Sequence, residues 1–175
     1  MEQMEREPRM PHPRPDQPTA LPPTRDSATL LVAAVILHDR ATDHVLLLQR
    51  GPQAKFAPNH WDFPGGKNDP GEPVTATAIR ELHEETGVTV GPKDLRLAHV
   101  IHNAWGVDAP GGFVTVVFSA DEWSGHPENR EPHKHAHVRW TPTTALPTPF
   151  VKSTAAALHH HLTGDGPQIS ESGWG

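Results

Sequence analysis

The chain has 175 residues and a formal net charge of −6 at pH 7, and it contains no cysteine. This length fits one domain of ordinary size with an additional tail. The absence of cysteine excludes a disulfide framework and a thiolate zinc site, and the acidic balance argues against a general nucleic-acid binder. No long uncharged apolar run is present, so the sequence predicts no membrane span, and we expect a cytoplasmic protein.

The first part of the chain has the composition of a disordered segment. Residues 1–25 hold seven prolines and little apolar content, so they cannot bury enough surface to offset the entropy of ordering. The sequence therefore predicts a disordered Pro-rich tail over 1–25, a folded domain over 26–165 and a flexible C-terminal tail over 166–175.

The folded domain is predicted to consist mainly of short strands with two helices. Runs rich in β-branched and aliphatic residues, bounded by turn residues, predict strands over 30–37, 45–49, 61–63, 95–102, 113–119 and 135–140. Ala78 and Leu82 lie four residues apart on one apolar face of a helix predicted over 74–86. Gly87 is expected to end this helix in the left-handed conformation, and a second helix is predicted over 151–162. The pattern indicates an α/β or α+β sandwich.

Three glutamates on the first predicted helix carry the strongest chemical signal. Glu81, Glu84 and Glu85 occupy positions i, i+3 and i+4, so their carboxylates share one helix face. Like charges at this spacing repel one another, and Arg80 is the cation nearest to them in the sequence. Mg²⁺ or Mn²⁺ takes oxygen ligands and would relieve the repulsion. The preceding pair of glycines suits phosphoryl chemistry, because glycine lets the backbone approach a ligand closely.

The segment from 66 to 88 resembles the signature of the Nudix hydrolase family at every defined position. It reads glycine, five free residues, glutamate, seven free residues, and then arginine, glutamate, leucine, one free residue, two glutamates, one free residue, glycine and valine. The stretches 61–67 and 131–147 are similar to the approach and the closing pattern of the MutT-like branch of that family.

The resemblance implies an α/β/α sandwich with a mixed sheet. It also implies hydrolysis of a nucleoside diphosphate linked to another moiety, with Mg²⁺ as the cofactor and Mn²⁺ as a substitute. The metal ligands that it implies are the Gly65 carbonyl, Glu81, Glu84, Glu85 and Glu131. Arg80 would orient the glutamates, Glu72 would fix the loop on the helix, and Glu81 is the usual candidate for activating water.

The MutT-like approach and the body without insertions favour a nucleoside triphosphate as substrate, oxidised or otherwise non-standard, cut to a monophosphate and pyrophosphate. Arg50 and Lys67 are candidate phosphate contacts. Phe56, Trp105 and Phe113 are candidate platforms for the base. The expected partner is a small nucleotide, bound by a monomer or a homodimer.

Two alternatives to this substrate stay open. One is a pyrophosphatase for ADP-ribose or nucleoside diphosphate sugars. The other is a catalytically silent nucleotide-binding domain, although such domains typically lack one or more of the three glutamates that are intact in this sequence.

The histidines are expected to be exposed. His133, His135 and His137 alternate along a predicted strand and would share its solvent face, because their spacing lacks the geometry of common zinc sites. The run of histidines over 159–161 is likewise expected on the surface.

Overall fold

The computed structural model describes residues 28–104 and 108–175. The Pro-rich segment over 1–25 and Trp105 therefore lie outside the described residues. The helices and strands that it describes are β1 (Leu30–Asp39), β2 (His44–Arg50), β3 (Trp61–Asp62), β4 (Gly65–Lys67), α1 (Val74–Thr86), β5 (Arg96–Asn103), β6 (Phe113–Ala120), β7 (His135–Pro142), α2 (Lys152–Thr163) and β8 (Gln168–Ser172). Neither α-helix has the length and hydropathy needed to cross a bilayer.

The strands form one mixed sheet with two branches. The strand order is β3-β2-β1-β6-β5-β8, with β4 pairing with β1 and β7 pairing with β2. Strand β1 runs parallel to β6 and antiparallel to β4, whereas β2 pairs antiparallel with β1, β3 and β7. The mixed α/β fold expected from the sequence is confirmed.

Alternating residues of β1 place one helix on each face of the sheet. Successive side chains of a strand point to opposite faces, and on β1 both faces are apolar. One face packs against Ala78 and Leu82 of α1 through Ala33, Val35 and Leu37. The other face packs against Ala157 and Leu158 of α2 through Ala34 and Ile36. The two helices therefore enclose the central strand, as an α/β/α arrangement requires.

A strand that the sequence did not predict lies at the start of the segment that carries the glutamate motif. Gly65–Lys67 pairs with Val32–Ala34 of β1, beyond the end of the strand predicted over 61–63. A Cβ at Gly65 would lie too close to the backbone of Ala33 and Ala34, so this tight pairing requires glycine. At the other end of the segment, Gly87 has φ 76° and closes α1 as a left-handed C-cap, as expected.

Part of the segment 166–175, for which the sequence predicts a flexible tail, forms a strand. Gln168–Ser172 forms β8 and pairs in parallel with His99–Asn103 of β5. The sequence gives no strand signal in this segment, because its single apolar residue, Ile169, is 70% exposed and faces solvent. Backbone hydrogen bonds to an edge strand, and not burial of an apolar face, hold it in place.

The histidine run on α2 is only partly at the surface. His161 Nε2 lies 3.1 Å from Nδ1 of the buried His38, and the ring of His160 stacks on the buried His99 with centroids 5.4 Å apart. These contacts bring the helix C-terminal half against β1 and β5, which the sequence spacing alone did not indicate.

Candidate active site

Helix α1 holds Glu81, Glu84 and Glu85 at different degrees of burial. Glu85 is buried, with 5% of its surface exposed, and 52% of the Glu84 side chain is exposed. Both carboxylate oxygens of Glu85 accept hydrogen bonds from the protein. The Gly65 backbone N–H donates to Oε2 over 2.8 Å, and His135 Nε2 lies 3.0 Å from Oε1. Glu85 is therefore fixed between β4, α1 and β7.

Burial makes the carboxylates of Glu81 and Glu85 costly to ionise. Desolvation raises the pKa of Glu85, and the hydrogen bond from His135 opposes that rise. Desolvation also raises the pKa of Glu81, with Arg80 opposing it. A divalent cation bound to the carboxylate oxygens would favour their charged form. The donor set therefore fits a hard divalent metal.

Arg80 connects the glutamates to the loop before the helix. Its Nε donates to Glu72 Oε1 over 2.9 Å, and its Nη1 donates to Glu81 Oε1 over 2.7 Å and to Glu84 Oε2 over 3.2 Å. Nη2 donates to the Lys67 carbonyl over 3.1 Å. The hydrogen bonds from Arg80 hold the pKa of Glu72 at about 2. One guanidinium therefore sets the positions of three carboxylates.

Gly66 leaves the space that Glu81 fills. A Cβ at this position would overlap the carboxylate carbon and both carboxylate oxygens of Glu81. The second glycine of the pair therefore serves packing at the site and not chain reversal, and any side chain here would displace Glu81.

Glu85 also belongs to a second group of candidate metal ligands. Ligand atoms of Glu85, Glu131 and His135 lie within 4.8 Å of one another, so Glu131 is close enough to contribute to the same centre. Lys134 Nζ lies 2.6 Å from Glu131 Oε1 and adds a positive charge that the sequence analysis did not anticipate. The contact between β7 and α1 is long-range, and no local spacing signals it.

The expected exposure of His135 is wrong. His135 is 7% exposed, whereas His133 and His137 are exposed. The strand register shifts between Gln49 and Arg50, which pair with His137 and His135. Two residues of β7 therefore lie opposite one residue of β2. This β-bulge breaks the alternation that would put the histidines on one face of the strand.

The predicted phosphate contacts have different surroundings. Arg50 donates to Asp62 Oδ2 over 3.0 Å and to the Phe56 carbonyl over 2.9 Å, and its guanidinium lies 5.5 Å from the Phe56 ring centroid. Arg50 thus contacts the loop before β3, and among residues 28–104 and 108–175 none of its side-chain hydrogen bonds goes to a glutamate. Lys67 is exposed at the end of β4, and its carbonyl contacts Arg80.

A cavity of about 560 Å³ opens between the loop before β3, the ends of β5, β6 and β8, and the start of α2. Residues that line it include Phe56, His60, Asn103, Phe113, Phe150 and Ser172. Phe56 and Phe113 were candidate platforms from the sequence. Asn103, Phe150 and Ser172 were missed, because nothing in the sequence signals that these separate segments converge. The volume falls in the range of small-molecule sites.

The comparisons with known proteins agree with this geometry. The profile of the NUDIX domain matches residues 29–161. The chain belongs to the Nudix family. Its structure is similar to that of the MutT NUDIX hydrolase from Burkholderia pseudomallei, at 27% identity and a TM-score of 0.65, over 77% of this chain and 98% of that one. The resemblance seen in the segment 66–88 is therefore confirmed.

Curated relatives match over part of their length. The human 8-oxo-dGDP phosphatase NUDT18 is 28% identical over 136 residues, which are 77% of this chain and 38% of the relative. The asymmetrical bis(5'-nucleosyl)-tetraphosphatase of Caenorhabditis elegans is 30% identical over 88 residues, which are 50% of this chain and 62% of the relative. Three other Nudix-type relatives are matched over 21%, 15% and 41% of their length. The chain thus spans less than two thirds of each.

Proposed function

We propose that this Nudix protein is a divalent-metal-dependent hydrolase of nucleoside triphosphates, oxidised or otherwise non-standard, which releases a nucleoside monophosphate and pyrophosphate. The observation that carries the proposal is the set of carboxylates around Gly66, which Arg80 and His135 hold together. Three acids on one helix turn are costly without a cation, and a hydrolase of polyphosphates needs one.

The metal site would use carboxylate oxygens together with the backbone carbonyl of Gly65. The residues assigned to it are Glu81, Glu84, Glu85 and Glu131. When bound, Mg²⁺ or Mn²⁺ supplies neutralisation of phosphate charge and a lowered pKa for a bound water. A buried nitrogen beside it, His135 Nε2, holds Glu85 in a fixed orientation.

The remaining steps belong to side chains of this chain. Glu81 accepts the proton of the attacking water. The water oxygen bonds to phosphorus, and the anhydride bond between the α- and β-phosphates breaks. Arg80 keeps Glu81 and Glu84 at their positions, and the exposed Lys67 lies next to this face as a phosphate contact.

The aromatic cavity supplies the nucleoside site in this proposal. Phe56 and Phe113 offer apolar area to a base, and the volume of about 560 Å³ holds a nucleoside with part of its phosphate chain. The name of the human relative, an 8-oxo-dGDP phosphatase, supports an oxidised guanine nucleotide within the substrate panel. The name of the nematode relative supports including a dinucleoside tetraphosphate.

The deciding experiment is a substrate panel in ¹⁸O-labelled water with Mg²⁺. Nucleoside triphosphates, their 8-oxo forms, nucleoside diphosphates, diadenosine tetraphosphate and ADP-ribose are incubated with the protein, and the products are identified by mass spectrometry. We expect monophosphate and pyrophosphate from triphosphates. Exclusive turnover of ADP-ribose would instead assign the protein to the nucleoside diphosphate sugar class.

A paired substitution tests whether the protein is an enzyme at all. Glu84→Gln is expected to lower kcat by about 100-fold or more, since it removes one charged ligand of the centre. Glu122→Gln, at an exposed acid outside the site, is the matched control and should leave turnover unchanged. Wild-type turnover by the Glu84→Gln variant would contradict the assigned mechanism, and no turnover by the unmodified protein would favour a silent binding domain.

A further inference from the structure

An ion pair frames the loop that enters the cavity between β2 and β3. The segment 51–60, called the β2–β3 loop below, contains no helix or strand, and it contributes Phe56 and His60 to the cavity lining. Arg50 precedes the loop at the end of β2, and Asp62 follows it in β3. Their side chains lie 3.0 Å apart, so the two ends of the loop are joined by opposite charges.

The Arg50 guanidinium also reaches Phe56, near the middle of the loop. Its Nε donates to the Phe56 carbonyl over 2.9 Å, and its Cζ lies 5.5 Å from the centroid of the Phe56 ring, within cation–π range. Its Nη1 donates to Asp62 Oδ2 over 3.0 Å. The backbone of Arg50 pairs only with the end of the loop, at Asn59 and His60. The side chain of Arg50 is therefore what joins Phe56 to β3.

The loop holds a conformation that packing alone does not secure. Phe56 is 41% exposed, so burial does little to fix its ring. The next residue, Ala57, has φ 45°, in the left-handed region that a residue with a β-carbon disfavours. Asn59 has φ 62°, which asparagine tolerates better. Without a restraint next to Ala57 the backbone would leave this conformation, and the hydrogen bond from Arg50 supplies that restraint.

Asp62 is a fixed partner for Arg50. It is 8% exposed, and its Oδ1 accepts a hydrogen bond from the Phe63 backbone N–H over 2.9 Å. Burial raises the pKa of Asp62, and the charge of Arg50 opposes the rise. Separating the two side chains would leave a buried carboxylate without a compensating charge. The pair therefore resists opening, and it transmits the fixed position of β3 to the loop.

We propose that Arg50 is a positioning residue, which anchors the β2–β3 loop to Asp62 so that Phe56 stays in place at the cavity. Arg50 acts through Phe56 and contacts neither the phosphates nor the reacting atoms in this role. Only the kinetic consequence rests on the proposed function, in which the cavity takes a nucleotide. A phosphate contact, for which Arg50 was a candidate from the sequence, needs a positive charge, whereas the anchor needs two donors aimed at two partners.

Trypsin reports the position of the loop without any nucleotide, because it cleaves after the exposed Lys55 when the loop opens. Arg50→Met keeps most of the apolar length of the side chain and removes every donor. We expect the bond between Lys55 and Phe56 to be cleaved at least about tenfold faster in this variant, as measured by mass spectrometry of the fragments. Cleavage after Arg40, in the exposed turn between β1 and β2, is the internal reference and should keep its rate.

Two further variants separate the anchor from charge and from stability. Arg50→Lys keeps the charge but offers one ammonium group in place of the planar fork, so cleavage after Lys55 should still be at least about threefold faster. Arg50→Met combined with Asp62→Asn removes the unpaired buried carboxylate, so the melting temperature should recover while the fast cleavage persists. Arg96→Gln, at an exposed position of β5, is the matched control and should keep the wild-type rate.

Kinetics with 8-oxo-dGTP and Mg²⁺ test the consequence for binding. We expect Arg50→Met to raise KM by about tenfold and to leave kcat near the wild-type value, because the anchor acts on the cavity and not on the reacting atoms. If Arg50 acts through Phe56, the double variant of Arg50→Met and Phe56→Ala should have a KM no higher than that of the worse single variant. Independent roles would instead multiply the two effects.

The outcomes distinguish this inference from the hydrolase proposal. A wild-type rate of cleavage after Lys55 in Arg50→Met and Arg50→Lys would overturn the anchor even in a protein that hydrolyses nucleotides, and so would equal acceleration after Lys55 and Arg40. A KM that Arg50→Lys keeps and Arg50→Met raises would assign a phosphate contact instead, and multiplied KM effects would contradict action through Phe56. Fast cleavage after Lys55 alone, in a protein that hydrolyses no nucleotide, would support the anchor and contradict the hydrolase.

Discussion

The carboxylate cluster and the aromatic cavity are built in different ways. The cluster uses Glu72, Arg80, Glu81, Glu84 and Glu85, all within one strand–loop–helix segment. Hydrogen bonds of 2.7 to 3.2 Å join Arg80 to Glu72, Glu81 and Glu84, and Glu85 accepts from the Gly65 backbone N–H. The cavity draws its lining from five separate parts of the chain, from the loop before β3 to the end of β8. The periodicity of α1 places most of the carboxylate cluster, whereas the cavity requires the whole fold to form.

In the proposed function, this difference separates chemistry from selectivity. Helical spacing brings Glu81, Glu84 and Glu85 to one face of α1, whereas the fixed orientation of Glu85 also depends on the distant His135. The cavity depends on how loops and strand ends meet, and its exposed parts, such as Phe56 at 41% exposure, are weakly constrained. We therefore expect substitutions in the cluster to change kcat and substitutions in the cavity to change KM or the choice of base.

The largest effect is expected from Arg80→Gln. The change removes the cation that donates to Glu72, Glu81 and Glu84, so three carboxylates repel one another and lose their fixed positions. We expect kcat/KM to fall by about 100- to 1,000-fold and the melting temperature to drop. Arg40→Gln, which breaks a surface pair with Asp121, should change neither by much. Comparable losses in both variants would contradict the assigned role of Arg80.

A pair of glycine substitutions comes next. Gly66→Ala places a methyl group where the Glu81 carboxylate lies, so we expect kcat to fall by more than about tenfold. Gly71→Ala meets no atom within 4 Å but forces a side chain onto a φ of 80°, which should cost about 1 kcal/mol of stability with little change in kcat. Kinetics together with urea unfolding separates the two. Full activity in Gly66→Ala would show that Glu81 does not need this position.

The third prediction concerns the link between β7 and α1. His135→Leu removes the nitrogen 3.0 Å from Glu85 Oε1 and leaves a buried carboxylate oxygen without its partner. We expect Mn²⁺ to bind about 10- to 100-fold more weakly, as measured by electron paramagnetic resonance titration. His133→Leu changes a neighbouring exposed histidine and should leave the affinity unaltered. An unchanged Mn²⁺ affinity in His135→Leu would remove His135 from the proposed centre.

The same division between local and assembled regions explains what the sequence could predict. The extent of α1 and the left-handed Gly87 follow from local spacing, and the structure has both. The burial of His135 depends on a bulge against β2, and the strand at Gln168–Ser172 depends on an edge offered by β5. Neither leaves a periodic pattern in the sequence, because each is created by a partner far along the chain.

In the cavity, a smaller effect is expected from Phe56→Ala. Truncation removes apolar area next to the bound base, so KM should rise by about tenfold while kcat stays near the wild-type value. Leu97→Ala, at a residue of similar exposure that does not line the cavity, is the control for a general loss of surface packing. An equal fall in kcat would place Phe56 in the chemistry and blur the separation of the two regions.

The smallest effect lies outside both regions, at the contact between His161 and His38. Burial, together with the nearby His38 and Arg40, lowers the pKa of His161 from 6.5 to about 4, while Asp121 opposes the shift. Between pH 6.5 and 4, His161 binds a proton in the unfolded chain but stays neutral in the folded chain. The contribution of the neutral His161 to the free energy of unfolding is therefore complete above pH 6.5 and is lost as the pH falls to about 4. Urea midpoints at pH 7, 5.5 and 4 should therefore fall less steeply in His161→Gln than in the wild type, whereas His159→Gln, at an exposed position of the same helix, should keep the wild-type slope.

Parallel slopes in all three proteins would mean that His161 titrates alike in the folded and unfolded chains. A reduced slope with unchanged kcat at pH 7 would place this histidine contact in the stability of the α2 layer alone, apart from the carboxylate cluster and the aromatic cavity.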